Sequence, residues 1–235
     1  MNDLNDDFFR HISSEFNEEL EALRRSLLEM GGLVEEQLRA ALQFYSTQDS
    51  SLLSKTDEIE KKINAAEIDL DEQVEALIVR RQPIASDLRL VLAVSKIVRD
   101  LERMGDELDK VGSLSLECFT SGSDVGVTEI QRIAEQVAKM LNESLNAFAR
   151  LDLDLAREIF RREREVDKVY QSALRALATF MIEDPRNIGR VLNIVWIARS
   201  LERVGDHATN IAEYVIYLVQ GVDVRHPGVN QNSFE

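Results

Sequence analysis

The residues of this chain best suited to chemistry form a short acidic motif that occurs twice. The run Leu-Glu-Arg-x-Gly-Asp stands at residues 101–106 and again at 201–206. On a helix, Glu102 and Asp106 lie four positions apart and share a face, and the same holds for Glu202 and Asp206. Like charges at this spacing destabilise an isolated helix by about 0.3 kcal/mol per pair. Because both copies contain the pair, the sequence predicts that a bound group neutralises the charge.

Matching oxygen-bearing residues occur on the helix that precedes each motif. Glu60 and Asn64 stand four positions apart in the first half of the chain, and Glu163 and Asp167 do so in the second. Antiparallel packing of neighbouring helices would place each of these pairs opposite one copy of the motif. Asn210 continues the second acidic stripe beyond the motif. Oxygen donors from two facing helices predict a hard-cation site suited to Mg²⁺, Mn²⁺ or iron.

Each acidic pair also has an ordinary surface explanation. Arginines at positions 99, 103, 199 and 203 could neutralise the acids in exposed ion pairs, which contribute about 0.3–0.5 kcal/mol each. The duplication favours the metal site, since a solvated face has no need of the same motif in both copies. Gly105 and Gly205 lie within the motif. A mid-helix glycine costs about 1 kcal/mol, so we expect both glycines to permit close helix packing.

Six helices are predicted to position these residues. Apolar side chains recur at intervals of three and four along most of the chain, which is typical of amphipathic helices. With their caps and breakers, these stretches cover residues 12–47, 50–82, 86–119, 129–150, 153–182 and 185–220.

The chain contains an internal duplication. Residues 92–111 are identical to residues 192–211 at eight positions, and an offset of 103 further upstream pairs Glu60 with Glu163. Self-similarity of this length indicates duplicated domains rather than a solenoid. The predicted fold is all-α, with two tandem duplicated three-helix bundles. Its segments are a first repeat at 1–120, a linker at 121–128, a second repeat at 129–221 and an irregular tail at 222–235.

Charge and composition exclude several functions. A net charge of −15 repels nucleic acid and anionic lipid, so neither is expected as a primary partner unless the basic residues cluster tightly. The single cysteine, Cys118, excludes an internal disulfide framework. The acidic N-terminus does not resemble a secretory signal, and no apolar run reaches the ~18 residues of a spanning helix. We expect a cytoplasmic protein that meets a membrane only through its partners.

Other residues have simpler explanations. His207 points about 100° away from Asp206 around the helix, which predicts a surface position rather than a metal ligand. Trp196 and Tyr170 are predicted to be packing residues. The chain lacks a glycine-rich phosphate loop, a nucleotide fingerprint and a suggestive Ser/His/Asp set. We therefore expect no organic cofactor and no catalytic activity.

In its motifs the chain resembles the PhoU family, and the likeness covers nearly its whole length. The repeated Leu-Glu-Arg-x-Gly-Asp is the hallmark of that family. Supporting segments are Phe-Asn-Glu-Glu-Leu at 16–20, Met-Gly-Gly-Leu-Val-Glu at 30–35 and Arg-Gln-Pro-Ile-Ala-Ser-Asp-Leu-Arg at 81–89. The resemblance implies a cytoplasmic, often homodimeric protein. It also implies a negative regulator of the phosphate regulon that links the ATPase subunit of the phosphate ABC transporter to a membrane sensor histidine kinase.

Some members of this family bind iron or other metals at their acidic pairs. The resemblance places a first site at Glu60, Asn64, Glu102 and Asp106, and a second at Glu163, Asp167, Glu202 and Asp206. Asn64 brings no charge where the second half has Asp167, and Lys110 adds a positive charge where the second half has Asn210. We therefore expect the second site to bind Fe, Mn or Mg more tightly than the first.

An alternative of a different class is a di-metal carboxylate oxidase or a metal-storage helical protein. Such bundle sites use a Glu-x-x-His motif on inward-facing helices. The chain contains no such motif. A signalling adaptor is therefore the favoured prediction.

Overall fold

The structure, a computed structural model, describes residues 14–119 and 126–224 of the chain. Within these ranges it contains six α-helices and no β-strand. The helices are α1 (Ser14–Thr47), α2 (Ser50–Arg81), α3 (Ala85–Phe119), α4 (Val127–Arg150), α5 (Leu153–Glu183) and α6 (Ile188–Gln220), with a 3₁₀ turn at Pro185–Asn187 before α6. This architecture confirms the predicted all-α fold of two three-helix bundles.

The predicted linker and tail lie mostly outside the described residues, as do residues 1–13. The described part of the linker differs from the prediction, because α4 already begins at Val127. Gly126 adopts a left-handed conformation (φ 78°), and its carbonyl accepts the backbone N–H of Ile130 at 3.0 Å. That bond starts the helix two residues before the predicted bound. Residues 221–224 are irregular, as expected of the start of the tail.

The middle helices of the two halves begin with the same cap. Asp49 accepts the backbone N–H of Ser51 at the start of α2. Asp152, the equivalent residue in the second half, accepts the backbone N–H groups of Asp154 and Leu155 at the start of α5. An N-cap of this kind contributes about 1 kcal/mol and fixes where the helix starts. The duplication therefore starts α2 and α5 at equivalent positions.

The two halves pack side by side. Helices α1, α2 and α3 pack on one another, as do α4, α5 and α6, and buried apolar residues from all six helices form one continuous core. The most extensive packing in the described part joins the halves, because α3 lies along α6, while α1 also contacts α4. Asp100 lies beside His207 and Glu107 beside Ser200, so α3 and α6 run antiparallel. No helix among the described residues is both long and apolar enough to cross a lipid bilayer.

A glycine permits the close approach of α1 to α4. A Cβ atom built on Gly31 would lie 2.6 Å from the Cδ2 of Leu145, whereas one built on Gly32 would meet nothing within 4 Å. Helix α1 continues without a break through both residues. The first glycine is therefore required by packing, and the second carries only the cost of a glycine within a helix.

This pair gives a matched stability test. Gly32→Ala is expected to raise the free energy of unfolding by about 1 kcal/mol through helix propensity alone. Gly31→Ala is expected to gain less or to lose stability, because Leu145 must move and overpacking a core costs about 1–3 kcal/mol. Urea denaturation of both variants measures the difference. Equal stabilisation by the two substitutions would contradict the packing role of Gly31.

Candidate metal centre

The acidic residues predicted to bind metal gather into two clusters, one in each half. The first acidic cluster consists of Glu60 and Asn64 on α2 with Glu102 and Asp106 on α3; the second consists of Glu163 and Asp167 on α5 with Glu202 and Asp206 on α6. Burial, followed by the charge of Asp206, raises the pKa of Glu163. In the first cluster burial is again the main cause that raises the pKa of Glu60, and the charge of Asp106 adds to it. In each half the two helices thus bring their carboxylates close enough to repel.

The second acidic cluster has four carboxylates, one of which is paired with Arg199. Burial and the charge of Asp206 raise the pKa of Glu202. Partial loss of contact with water is the main cause that raises the pKa of Asp206, and the charge of Asp167 adds to it although the charge of Arg199 opposes it. One carboxylate oxygen of Glu202, Oε1, accepts a hydrogen bond from Arg199. The other, Oε2, is buried and has no hydrogen-bond partner in the described part of the chain. A buried oxygen without a partner is costly, and a bound cation would satisfy it.

The first acidic cluster is partly satisfied by a residue that the sequence analysis missed. Gln37 is fully buried, and its Nε2 donates to Glu60 Oε2 at 2.7 Å and to the Gly105 carbonyl at 3.2 Å. The equivalent position in the second half holds Met140, which is also fully buried. A glutamine in an otherwise apolar stripe of α1 was the available signal. Because Gln37 already donates a hydrogen bond to Glu60, a cation would stabilise the first cluster less than the second.

The two motif glycines differ in what surrounds them. A Cβ atom on Gly105 would lie 2.9 Å from Glu60 Oε2, whereas the nearest atom to a Cβ on Gly205 is a methyl group of Val137 at 3.8 Å. Gly105 therefore makes room for the carboxylate of Glu60. Gly205 would accept an alanine at ordinary contact distance, so the predicted close-packing role applies to the first glycine and not to the second.

The clusters are open rather than preformed. Four of their members, Asn64, Asp106, Asp167 and Asp206, are exposed. Among residues 14–119 and 126–224, no group of three or more Asp, Glu, His or Cys side chains is arranged to hold a metal ion. The donor set suits a hard cation, and a bound ion would have to draw these side chains together. Surface clusters of this kind differ from the inward-facing ligands of di-metal oxidases.

The structure places Asn210 away from the second acidic cluster. Its Nδ2 donates to Asp100 Oδ1 at 2.9 Å, and His207 Nδ1 lies 2.8 Å from the same oxygen. The side chain of His207 is only 12% exposed, so the predicted surface position is wrong. Asp100 is buried and needs donors, and the register of α6 against α3 brings both residues to it. Helix periodicity alone does not predict how α6 is aligned against α3.

Two other predictions differ from the structure. Lys110 does not face the first acidic cluster, because its Nζ pairs with Glu107 at 3.0 Å in the contact between α3 and α6. Trp196, predicted to be a packing residue, is 61% exposed. Tyr170 does pack against the core as predicted.

The repulsion in the second cluster predicts a pH-dependent gain from neutralising Glu163. Because the pKa of Glu163 is raised in the folded state, its ionisation disfavours folding above that raised pKa. The penalty falls as pH drops through the raised pKa and vanishes below the ordinary value of about 4.3. Glu163→Gln is therefore expected to stabilise the protein by about 0.5 kcal/mol near neutral pH and to lose this effect in acid.

Urea denaturation in metal-free buffer, at neutral pH and at about pH 4, measures this effect. Glu165→Gln is the matched control, because Glu165 is an exposed carboxylate on the same helix. A gain that is independent of pH, or one that the control reproduces, would contradict the repulsion between the clustered carboxylates.

Comparison with known proteins agrees with this architecture. The sequence profile of the PhoU domain matches the chain twice, at residues 27–114 and 130–215. A relative in Pseudomonas aeruginosa, named phosphate-specific transport system accessory protein PhoU homolog, is 51% identical over 231 residues, which cover 98% of this chain and 96% of the relative. The phosphate-specific transport system accessory protein PhoU of Escherichia coli is 42% identical over 219 residues, covering 93% of this chain and 91% of that protein.

Solved structures show the same fold. The crystal structure of PhoU from Pseudomonas aeruginosa superimposes with a TM-score of 0.85 at 51% identity, covering 88% of this chain and 100% of that one. The phosphate transport system regulatory protein PhoU from Streptococcus pneumoniae superimposes with a TM-score of 0.82 at 25% identity, covering 90% of this chain and 100% of its own. Two domain matches, close relatives along almost the entire length and a shared fold lead to one conclusion: this chain belongs to the PhoU family.

Proposed function

We propose that this protein is a non-catalytic accessory and regulatory protein of phosphate-specific transport. The observation that carries the proposal is the 51% and 42% identity, across nearly whole chains, to proteins named for that role. In the finer form of the proposal, it is a cytoplasmic homodimer that represses the phosphate regulon. It does so by linking the ATPase subunit of the phosphate ABC transporter to a membrane sensor histidine kinase.

An exposed apolar surface supports a role in docking to other proteins. Trp196 and Leu192 lie one turn apart on α6, and they are 61% and 47% exposed. Leu116, which is 51% exposed, lies at the same end of the antiparallel α3, where the neighbouring Glu117 accepts a hydrogen bond from Asn193. Tryptophan is enriched among the residues that dominate binding energy at protein interfaces. We assign this surface, Trp196 with Leu192 and Leu116, to partner docking.

The regulatory proposal is tested in cells with a reporter for phosphate-starvation genes. Deleting the gene is expected to leave the reporter on in phosphate-rich medium, and the wild-type gene is expected to restore repression. The double variant Leu192→Ala and Trp196→Ala should restore it poorly, because it removes the exposed apolar contacts without disturbing the core. Ile182→Ala, which truncates an 82% exposed residue on α5, is the control and should restore repression fully. Normal repression in the deletion strain would overturn the regulatory proposal.

We also infer that the second acidic cluster holds a hard cation, Fe, Mn or Mg, between α5 and α6. Glu163, Asp167, Glu202 and Asp206 would supply the oxygen ligands. The partnerless buried oxygen of Glu202 supports this inference, as does the mutual repulsion of the carboxylates. The ion would neutralise the cluster and tie the two helices together. In the first cluster Gln37 already bonds Glu60 and Asn64 brings no charge, so binding there is weaker.

Metal content after equilibration with Mn²⁺, Mg²⁺ or Fe²⁺ tests this inference. The double variant Glu202→Gln and Asp206→Asn should lose more bound metal than the double variant Glu102→Gln and Asp106→Asn. The reason is that Glu202 and Asp206 belong to the second acidic cluster, which carries more negative charge. Asn64→Asp adds the missing carboxylate and should increase binding at the first cluster. A wild-type protein that takes up none of these ions, or equal losses in the two double variants, would contradict the inference.

A further inference from the structure

The α3 and α6 helices form a groove whose charge is opposite to that of the protein as a whole. Two larger cavities lie along it, and a smaller one beside Lys96 and Tyr214 carries the carboxylates of Glu213 and Asp223. The Asp100 cavity, of about 480 Å³, is lined by Lys96, Arg99, Asp100, Arg103, His207 and Asn210, with Tyr214 and Ser95 at its edge. The Glu107 cavity, of about 760 Å³, is lined chiefly by Glu107, Lys110, Trp196, Arg199, Ser200 and Arg203. On each helix the lining residues recur every three or four positions, so both cavities open on the same face.

The duplication makes the two cavities equivalent. Adding 100 to a residue number converts Arg99 into Arg199, Arg103 into Arg203 and Asp100 into Ser200. Subtracting 100 converts His207 into Glu107. Contacts between the helices follow the same exchange, since Asp100 meets His207 in one cavity and Ser200 meets Glu107 in the other. Each cavity therefore serves as an internal control for the other.

In the Glu107 cavity the cations are already engaged. Glu107 is buried, and its carboxylate accepts from Ser200 at 2.8 Å, Arg203 at 2.7 Å and Lys110 at 3.0 Å. Arg199 is paired with Glu202 of the second acidic cluster. The basic groups of this cavity are thus held by carboxylates of the chain itself.

In the Asp100 cavity the equivalent arginines are not engaged in this way. His207 stands where the other cavity has Glu107, so no carboxylate reaches for Arg103. Among the described residues neither Arg99 nor Arg103 forms an ion pair within 4 Å, and both are exposed. Lys96 lies over the faces of two tyrosine rings, 5.6 Å from the centroid of Tyr214.

The only carboxylate that lines the Asp100 cavity is occupied by two side chains of α6. Asp100 Oδ1 accepts from Asn210 Nδ2 at 2.9 Å and lies 2.8 Å from His207 Nδ1. It therefore orients the two side chains on α6 without pairing with the cations on α3. Three cations against one carboxylate leave the cavity with a net positive charge of about 2 within a chain of net charge −15.

From this arrangement we propose that the Asp100 cavity binds a phosphoryl group, free or carried on a small organic molecule. Two guanidinium groups and an ammonium group present the donors that phosphate oxygens accept. The volume of about 480 Å³ is within the range of small-molecule sites and leaves room for more than inorganic phosphate. Tyr214, with Lys96 over its ring, borders the space for the rest of such a molecule. The proposal uses no residue of the acidic clusters and does not depend on the regulatory role.

Titration calorimetry on the full chain tests the proposal, with inorganic phosphate, pyrophosphate and ATP as probes. Metal-free buffer prevents a cation at the acidic clusters from recruiting the anion. Adenosine at equal concentration is the control for stacking, and sulfate is the control for general anion binding. We expect saturable binding of pyrophosphate or ATP that weakens as salt is added, and weaker binding of inorganic phosphate.

Two pairs of variants assign the site. Arg99→Gln with Arg103→Gln is expected to reduce affinity at least tenfold. Arg199→Gln with Arg203→Gln removes the same two charges from the equivalent cavity and is expected to change affinity less than twofold. The absence of saturable binding of any probe, or equal losses in the two double variants, would overturn the proposal.

A charge-neutral exchange provides a second test. Asp100→Ser with His207→Glu gives the Asp100 cavity the pair that the chain already contains at Ser200 and Glu107, with the net charge unchanged when histidine is neutral. A glutamate at position 207 should engage Arg103 as Glu107 engages Arg203, and phosphoryl binding should fall at least tenfold. If binding is unchanged in this variant and its circular dichroism spectrum is native, the ligand does not require an Arg103 that is free of ion pairs, and the proposal is contradicted.

Discussion

The packing of α3 against α6 is the constraint on which the rest of the structure depends. Each helix carries one copy of the acidic motif, and a helix turns by about 100° per residue. Neighbouring residues of the motif must therefore face different surroundings. Leu101 and Leu201 are fully buried in the core, the acids turn toward α2 or α5, and the arginines that follow them turn toward the groove. A six-residue motif thus contributes at once to the core, to an acidic cluster and to a basic groove.

Because the halves are duplicated, single differences between equivalent positions change what each surface can do. Gln37 in place of Met140 gives Glu60 a hydrogen-bond donor inside the protein, whereas burial and the charges of Asp206 and Asp167 raise the pKa of Glu163 against the opposing charge of Arg164. Glu107 and His207 also occupy equivalent positions. Glu107 is paired with Lys110 and Arg203. Although burial raises the pKa of Glu107, hydrogen bonds from Lys110 and Ser200 lower it overall. His207 instead contacts the carboxylate of Asp100. The two halves share one scaffold, and these substitutions leave its equivalent surfaces with different charges and hydrogen bonds.

Local periodicity was sufficient to predict the fold, and it failed where the register between helices decides the outcome. Helix bounds such as Ser50–Arg81 and Leu153–Glu183 follow from caps and apolar spacing, which are properties of contiguous sequence. The pairing of α2 with α3 and of α5 with α6 followed from the duplication. The predictions for Asn210 and Lys110 were wrong because each residue lies at the edge of the acidic face of its helix. A small rotation of the helix there decides which neighbouring helix the side chain contacts. The exposure of Trp196 was missed because its amphipathic position resembles that of a core residue.

The groove and the acidic clusters lie on opposite flanks of the same two helices, and their charges interact. Burial and the charge of Asp106 raise the pKa of Glu102, while the charge of Arg103 opposes this shift. Arg99 acts in the same sense on Glu67 of α2. An anion bound to these arginines would neutralise their positive charge. The nearby carboxylates would then feel less positive charge, and the first acidic cluster would attract a cation more strongly. Coupling between two ligands is reciprocal, so a cation held there must strengthen anion binding in the groove by the same factor. Charge placement alone would therefore couple the two proposed sites.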